Sequence, residues 1–354
     1  MGHRPAPAVT GERVASALRV TEWQDETSWE AFVDAAPHST VMHRWAWRDV
    51  VERAYGHRSV ALAAVSDGEV RGVLPLTLVR SRLFGRHLVS MPFMDYGGAC
   101  ALDETAEQAL VQAAVEMASS ERATLDLRHT SKRPIDLPVS LEKATMLLQL
   151  GTTDEETWRR LPSERRNRIR KAQREGLSAS IGGEELLPAF YEVFAENMRD
   201  LGSPVHAFGF FHEAVAWLPD HAHVIVAAAG GRPVAGAVML VHRGTVSIPW
   251  VSSLRSARTL SAGQFLYWEA MRWAIAHGHR TLDFGRSSKG SGTYESKRQW
   301  GAEPQQLYWH YWPESAPPPA ETAQRLDWVG KLWRRTPLPL ATALGPRLRR
   351  GIAN

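Results

Sequence analysis

The residues best suited to chemistry lie between Thr281 and Glu303, in the run TLDFGRSSKGSGTYESKRQWGAE. The cations Arg286, Lys289 and Lys297 cluster there with several hydroxyls, Ser287, Ser291, Thr293 and Tyr294 among them. Thr281–Phe284 has the character of the end of a buried strand. Ser288–Gly292 is a Gly/Ser/Lys loop with too little side chain to pack, and Tyr294–Trp300 returns to larger residues. Open mixed sheets place their ligands outside the ends of strands, so a strand opening into such a loop is a natural site. Its glycines let backbone N–H groups approach an anion, and its cations favour a carboxylate or a phosphate. By residue type alone, the stretch also fits a solvated loop with ordinary surface Lys and Arg.

A second basic cluster, Arg159–Arg174 (RRLPSERRNRIRKAQR), holds eight Arg or Lys residues against one Glu. Ser163 is placed to cap a helix from Glu164 to about Glu175, ended by Gly176. On that helix Arg166 and Arg170 are one turn apart, as are Arg170 and Arg174, so their guanidinium groups share a face. The stripe suits phosphate contacts, an RNA backbone among them, and a purely solvated face is the alternative.

Composition bounds what these clusters can serve. The chain of 354 residues is long enough for two domains, and 44% hydrophobic with 23% charged residues is an ordinary globular balance. Cys100 is the only cysteine, so no internal disulfide can form and a reducing cytoplasm fits. Lys and Arg number 42 against 38 Asp and Glu, so local clustering matters more than the net charge of +4. His57, His206, His277 and His279 lack ligand spacing, so no metal site is expected. No G-x-S-x-G elbow or Walker loop occurs. The N-terminus has no signal-peptide core, and no run approaches a membrane span.

The elements that must position the clusters follow a repeated order. Helices are expected over Thr27–Ala36 and Arg44–Tyr55, then a hairpin of Ser59–Val65 and Glu69–Val79, a strand His87–Pro92, a helix Asp103–Ser119, and strands Ala123–Arg128 and Ala144–Leu150. The second half replays this with a hairpin of His223–Ala229 and Pro233–Val241, a strand Thr245–Val251, a helix Ala262–His277 and a strand Arg280–Gly285. Asp126 and Asp283 fall late in matching strands, ATLDLR and RTLDFG. The spacing of roughly 160 residues indicates domain duplication rather than a solenoid.

The pattern D-F-G-R-S…G-S-G-T-Y-x-x-K-x-x-W-G-A-E-P resembles the second-domain motif of FemAB-type transferases, most closely the FemAB proteins associated with exosortase/PEP-CTERM systems. WAWRDVVERAYGH (Trp45–His57), FGRHLVSMPFMDYGG (Phe84–Gly98), RRNRIRKAQREGL (Arg165–Leu177) and NMRDLGSPVH (Asn197–His206) match in the same order, from about Thr40 to Tyr311. The resemblance implies an α+β fold of two tandem GNAT-like domains with mixed sheets. It also implies aminoacyl or acyl transfer from an activated donor to an amine or hydroxyl, without a covalent enzyme intermediate. By alignment, Lys297 lies beside the reacting carbonyl, with Tyr294 and Arg286 as further catalytic candidates. Trp47, Asp95, Tyr96, Arg166 and Arg170 face the acceptor or its phosphate, and Ser287 and Lys289 belong to the same anion-binding loop. The family's F-K-x-x-F-G motif reads S-K-R-Q-W-G here, with Ser296 in place of an aromatic and Trp300 in place of Phe.

The expected donor is aminoacyl-tRNA, with no bound cofactor, and the expected acceptor carries a phosphate or a sugar. An acyl-CoA-dependent N-acyltransferase is the rival reading, although Arg258–Gln264 lacks the R/Q-x-x-G-x-G/A spacing that holds a pyrophosphate. A non-catalytic RNA- or polysaccharide-binding adaptor is the third. The expected organisation is a disordered segment 1–17, domains at 18–150 and 151–312 (the second with the basic helix 164–175), and a Pro-rich linker with an amphipathic basic tail at 313–354. In the tail, Glu321–Arg335 carries Leu326, Val329, Leu332 and Trp333 on one side. It resembles a segment for anionic membranes, at the inner face of the cytoplasmic membrane, or one that docks on the protein body.

Overall fold

The computed structural model describes residues 17–82, 84–316 and 327–353. The expected disordered N-terminus (Ala17 apart), most of the Pro-rich linker, and the side chains of Leu326 and Val329 lie outside the described residues.

Two sheets organise the chain. The first half contributes β1 (Arg19–Glu22), α1 (Glu26–Ala35), α2 (Trp47–Tyr55), β2 (Arg58–Ser66), β3 (Glu69–Ser81), β4 (Gly85–Val89), β5 (Cys100–Ala101), α3 (Glu104–Ser120), β6 (Thr124–His129), β7 (Val139–Ser140) and β8 (Lys143–Gln149). The middle holds α4 (Asp154–Arg160), α5 (Ser163–Arg174), β9 (Ser178–Gly182), α6 (Leu187–Leu201) and α7 (Phe208–Trp217). Then come β10 (Ala222–Ala229), β11 (Arg232–His242), β12 (Thr245–Ser253), α8 (Ala262–Ala276), β13 (Thr281–Ser288), α9 (Gly292–Arg298), β14 (Glu303–Gln306), β15 (Tyr308–Trp312), α10 (Asp327–Trp333) and α11 (Leu338–Arg349).

Local chemistry sets the element ends. The β2–β3 hairpin turns on Asp67-Gly68 and the β10–β11 hairpin on Gly230-Gly231, all four with positive φ, the turn that matches strand twist. Asp25 caps α1 by accepting from Thr27 and Ser28 N–H, and Asp103 caps α3 by accepting from Ala106 N–H. The basic helix departs from expectation here. Ser163 is its first residue rather than its cap, because Pro162 takes the cap position and ends the extended link from α4.

The first sheet runs β1-β2-β3-β4-β6-β15-β7, with β5 beside β3, and the second runs β14-β8-β13-β12-β11-β10-β9. Each contains one parallel pair among antiparallel ones, β4 with β6 and β12 with β13. Both parallel pairs end on an aspartate, at Val89↔Asp126 and at Ser247↔Asp283, after which the strands part.

The halves also exchange strands. β8, expected to complete a unit ending at residue 150, pairs with β13 and β14 of the second sheet. In return β15 pairs with β6 and β7 of the first. A division at 150 therefore does not separate the sheets. The physical reason is edge closure: β6 and β13 each have one neighbour from their own half, and the strand from the other half covers the open edge.

A core between the sheets binds the two halves. Phe190, Phe210, Phe211 and Trp250 from the second half meet Met94 and Tyr96 from the loop after β4. Each fully buried side chain of this size contributes roughly 1.5–3 kcal/mol. The loop is therefore fixed on both sides of Asp95. The tail docks as well: Ala341 and Gly345 of α11 are buried, Gly345 lies against Val205, and Gly330 lies against Gly202 at the end of α6.

Candidate active site

The site forms where β12 and β13 part. Asp283, on the last paired rung, is buried, and its carboxylate accepts from Tyr96 Oη at 2.7 Å, Gly285 N–H at 2.8 Å and Thr145 Oγ1. Burial raises its pKa against the pull of those three donors. Tyr96 Oη also lies 3.2 Å from Ser247 Oγ, and burial together with the Asp283 charge pushes this phenol well above its ordinary value. Tyr96 is thus a hydrogen-bonded strut between the sheets rather than an acid poised to ionise.

Next along the strand, Gly285 has φ +75°, and a Cβ there would lie 3.1 Å from Asp95 Oδ2. This turn brings Arg286 onto Asp95 through two contacts, backbone N–H to Oδ2 at 2.9 Å and Nε to Oδ1 at 3.2 Å. The Gly285 and Arg286 carbonyls then accept from Lys297 Nζ at 2.8 and 3.0 Å. Lys297 is carried on α9, whose start is capped by Ser291 accepting from Tyr294 N–H. Burial pulls the Lys297 ammonium down to about 8, opposed by Asp95 and Asp283 and reinforced by Arg286. An ammonium has three donors. Two are spent on these carbonyls, and the third has no partner among the described residues.

Beneath this lies a pair of arginines on one aromatic ring. The Arg128 and Arg286 guanidinium carbons lie 4.5 and 4.9 Å from the Trp309 ring centroid. Arg128 is fully buried, donating from Nε and Nη2 to Asp126 at 3.0 and 2.8 Å, from Nη1 to Met94 O at 2.7 Å, and from Nη2 to Ala353 O at 3.0 Å. Asp126 thus holds an arginine where its counterpart Asp283 holds hydroxyls. The Arg128 bond to Ala353 brings the end of the tail to within one ring of Arg286.

The expected residues distribute unevenly. Lys297, Arg286, Asp95 and Tyr96 converge. Ser287 is buried, its Oγ without a hydrogen-bond partner among the described residues, and Tyr294 packs half-buried on the core of the second sheet. Lys289 is exposed on the turn after β13. Trp47, expected near the acceptor, is a correction: it is 1% exposed, its Nε1 donates to Val41 O at 2.8 Å, and its ring stacks on Phe210. Packing leaves it no face for a ligand. On α5, Arg170 is exposed with its guanidinium 5.2 Å from the Trp158 ring centroid, and Arg166 is half-buried. The arginine that joins this helix to α9 is Arg165, which donates to the Gln299 side chain and lies 5.5 Å from the Trp300 ring.

Sequence reading missed Thr145, Ser247, Arg128, Trp309 and Arg165. The matching aspartates of β6 and β13 were the available signal for Arg128, two residues beyond Asp126. A Ser–His pair near the site also proves inert. Ser39 Oγ donates to Val33 O at 2.6 Å, so His242 Nε2 must be the donor to Ser39 at 2.9 Å, and burial holds that ring neutral down to about 3. No group of three or more metal-ligating side chains occurs among the described residues. The arrangement offers charge stabilisation: an ammonium with a free donor, fixed by two peptide carbonyls at a strand opening.

A family model described as an acetyltransferase (GNAT) domain matches residues 163–298. Among solved structures, FemX shares 15% identity with a TM-score of 0.65, covering 82% of this chain and 96% of FemX. The C-terminal domain of a putative lysylphosphatidylglycerol synthetase from Agrobacterium fabrum shares 13% identity with a TM-score of 0.56, covering 85% and 94%. A tandem GNAT protein from the clavulanic acid biosynthesis pathway shares 14% identity with a TM-score of 0.51, covering 85% and 100%. These likenesses show a tandem GNAT-like fold with two mixed sheets. No curated protein matches the chain.

Proposed function

We propose that this chain is an acyltransferase that moves an aminoacyl group from aminoacyl-tRNA to an amine or hydroxyl of a phosphate- or sugar-bearing acceptor. The acceptor class is a cell-envelope precursor, exopolysaccharide or small metabolite, and the exosortase-associated resemblance favours the envelope materials. The observation that carries the reading is the Lys297 ammonium, held 2.8 and 3.0 Å from two successive carbonyls at the opening of the β12–β13 pair, with one donor left over. In the step proposed, an acceptor amine attacks the ester carbonyl, a C–N bond forms, and the C–O bond to the tRNA ribose breaks. The amine proton passes to the leaving oxygen. Negative charge that develops on the carbonyl oxygen meets the free Lys297 donor. The arginines of α5 suit the RNA backbone, and the structural relative named for lysylphosphatidylglycerol synthesis supports an aminoacyl donor over a simple acetyl one.

Acyl-CoA is the second reading, favoured by the acetyltransferase description of the matching domain. The test is to incubate the protein with a pool of charged tRNAs and, separately, with acyl-CoAs, and to follow which donor is discharged when acceptors are added. Discharge of tRNA is expected. Acceptor-dependent discharge of CoA would replace the donor, and discharge of neither across a wide acceptor panel would favour a non-catalytic adaptor.

A further inference from the structure

The tail does two things at once. One side of α11 is committed to the body: Ala341 and Gly345 are buried, Arg349 Nε donates to His206 Nε2 at 3.1 Å, and His57 Nε2 donates to Arg350 O at 2.8 Å. Because Arg349 donates to His206 Nε2, the ring proton sits on Nδ1 and donates to Tyr55 Oη, 3.0 Å away. These contacts fix the rotation of α11 and so decide which side faces outward.

The outward side is apolar at its centre and cationic at its margins. Leu340 is 50% exposed and Leu344 39% exposed, one turn apart, with Arg347 on the next turn of the same face. On the preceding helix Leu332 is 64% exposed beside the exposed Lys331, and the exposed Arg334 and Arg335 follow in the turn after it. Leu201, 58% exposed, precedes the Gly202 that touches Gly330. No Asp or Glu occurs between residues 328 and 353, and Asp200 of α6 is held by Arg199 at 2.7 Å. Leucines held in water beside cations that have no carboxylate partner among the described residues fit a surface that is anionic outside and apolar just beneath. No described helix is long and apolar enough to cross a membrane, so such a contact stays at the interface.

We propose that the outward face of α10, α11 and the turn between them is a docking surface for an anionic lipid bilayer, with Leu332, Leu340 and Leu344 entering the headgroup boundary and Lys331, Arg334, Arg335 and Arg347 meeting lipid phosphates. RNA is the other polyanion available, but a nucleic-acid surface gains nothing from exposed leucines. This reading is independent of the donor, and the measurement below does not use turnover.

The test is co-sedimentation of the full chain with vesicles of equal parts phosphatidylglycerol and phosphatidylcholine, and with phosphatidylcholine alone. Binding to the first and not to the second is expected, weakening as salt rises. Leu340→Asp with Leu344→Asp should weaken it about tenfold or more, with Tm unchanged because both residues are exposed. Arg334→Glu with Arg335→Glu gives a second variant outside the α11 packing, with the same expectation. Equal binding to both vesicle types, or to neither, overturns the proposal. So does full binding by the leucine variant, which would show a contact made by charge alone, as to any polyanion. A wild-type dimer that the leucine variant converts to monomer would assign the face to a second copy instead.

Discussion

Lys297 combines two properties that normally oppose each other. Burial makes its charge costly, pulling the ammonium to about 8, yet its neighbours Asp95 and Asp283 favour that charge. If the protonated form stabilises a developing oxyanion, kcat falls as pH rises through about 8. A lysine acting as general base would show the opposite limb, so a pH–rate profile separates the roles. Lys297→Ala should reduce kcat about 100- to 1,000-fold with donor binding little changed. Lys297→Arg should rescue poorly, since a guanidinium is broader and differently directed than an ammonium. The sign for stability is the reverse. A lysine whose folded pKa is depressed favours unfolding while protonated in both states, and this cost is relieved between about 8 and its ordinary 10.5. Tm should therefore rise as pH goes from about 8 towards 10.5, and Lys297→Met should abolish that rise while lowering kcat.

At the scale of elements, α5 divides its arginines between two jobs. Arg165 points inward and ties the helix to α9 through Gln299 and Trp300, so Arg165→Ala should cost about 1–3 kcal/mol and loosen the helix that carries Lys297. Arg166 and Arg170 have no such tie to α9. If they meet an RNA backbone, Arg166→Ala with Arg170→Ala should leave Tm nearly unchanged. Each lost phosphate contact should lower the log–log salt slope of tRNA binding by roughly 0.7–0.9. Binding curves that overlay wild type from low to high salt would make the outer stripe a solvated surface. Measuring both variants together matters, because a fall in binding after Arg165→Ala alone can arise from a displaced α9.

At the scale of the molecule, the exchange of β8 and β15 makes the halves interdependent. A fragment of residues 18–150 keeps β8 without β13 and β14, and loses β15 from the edge of β6. It also exposes Met94 and Tyr96 from the shared core. Such a fragment should show no cooperative thermal transition and rapid proteolysis, whereas the full chain should unfold as one unit. A cooperative, protease-resistant fragment would show that the first sheet closes without its borrowed strand.

Much of the chain's element order was legible from periodicity and turn chemistry. Two hairpins on Asp-Gly and Gly-Gly, helices behind Asp caps, and ATLDLR answering RTLDFG are local signals, set by neighbours a few residues apart. The same holds for the tandem fold, announced by the repeated order of these elements. What the chain could not declare locally was pairing across more than a hundred residues. Strand β8 has the same apolar alternation whichever sheet receives it, so only the open edges of β6 and β13 decide its place. Trp47 and Trp309 are both tryptophans in aromatic-rich stretches; one fills a core against Phe210, and the other underlies two guanidinium groups. Asp126 and Asp283 occupy equivalent strand positions, yet one holds Arg128 and the other Tyr96 and Thr145. Residue type and spacing determine which groups are available and which elements carry them. Their partners are set by packing between the sheets, where burial leaves a polar group no solvent to fall back on.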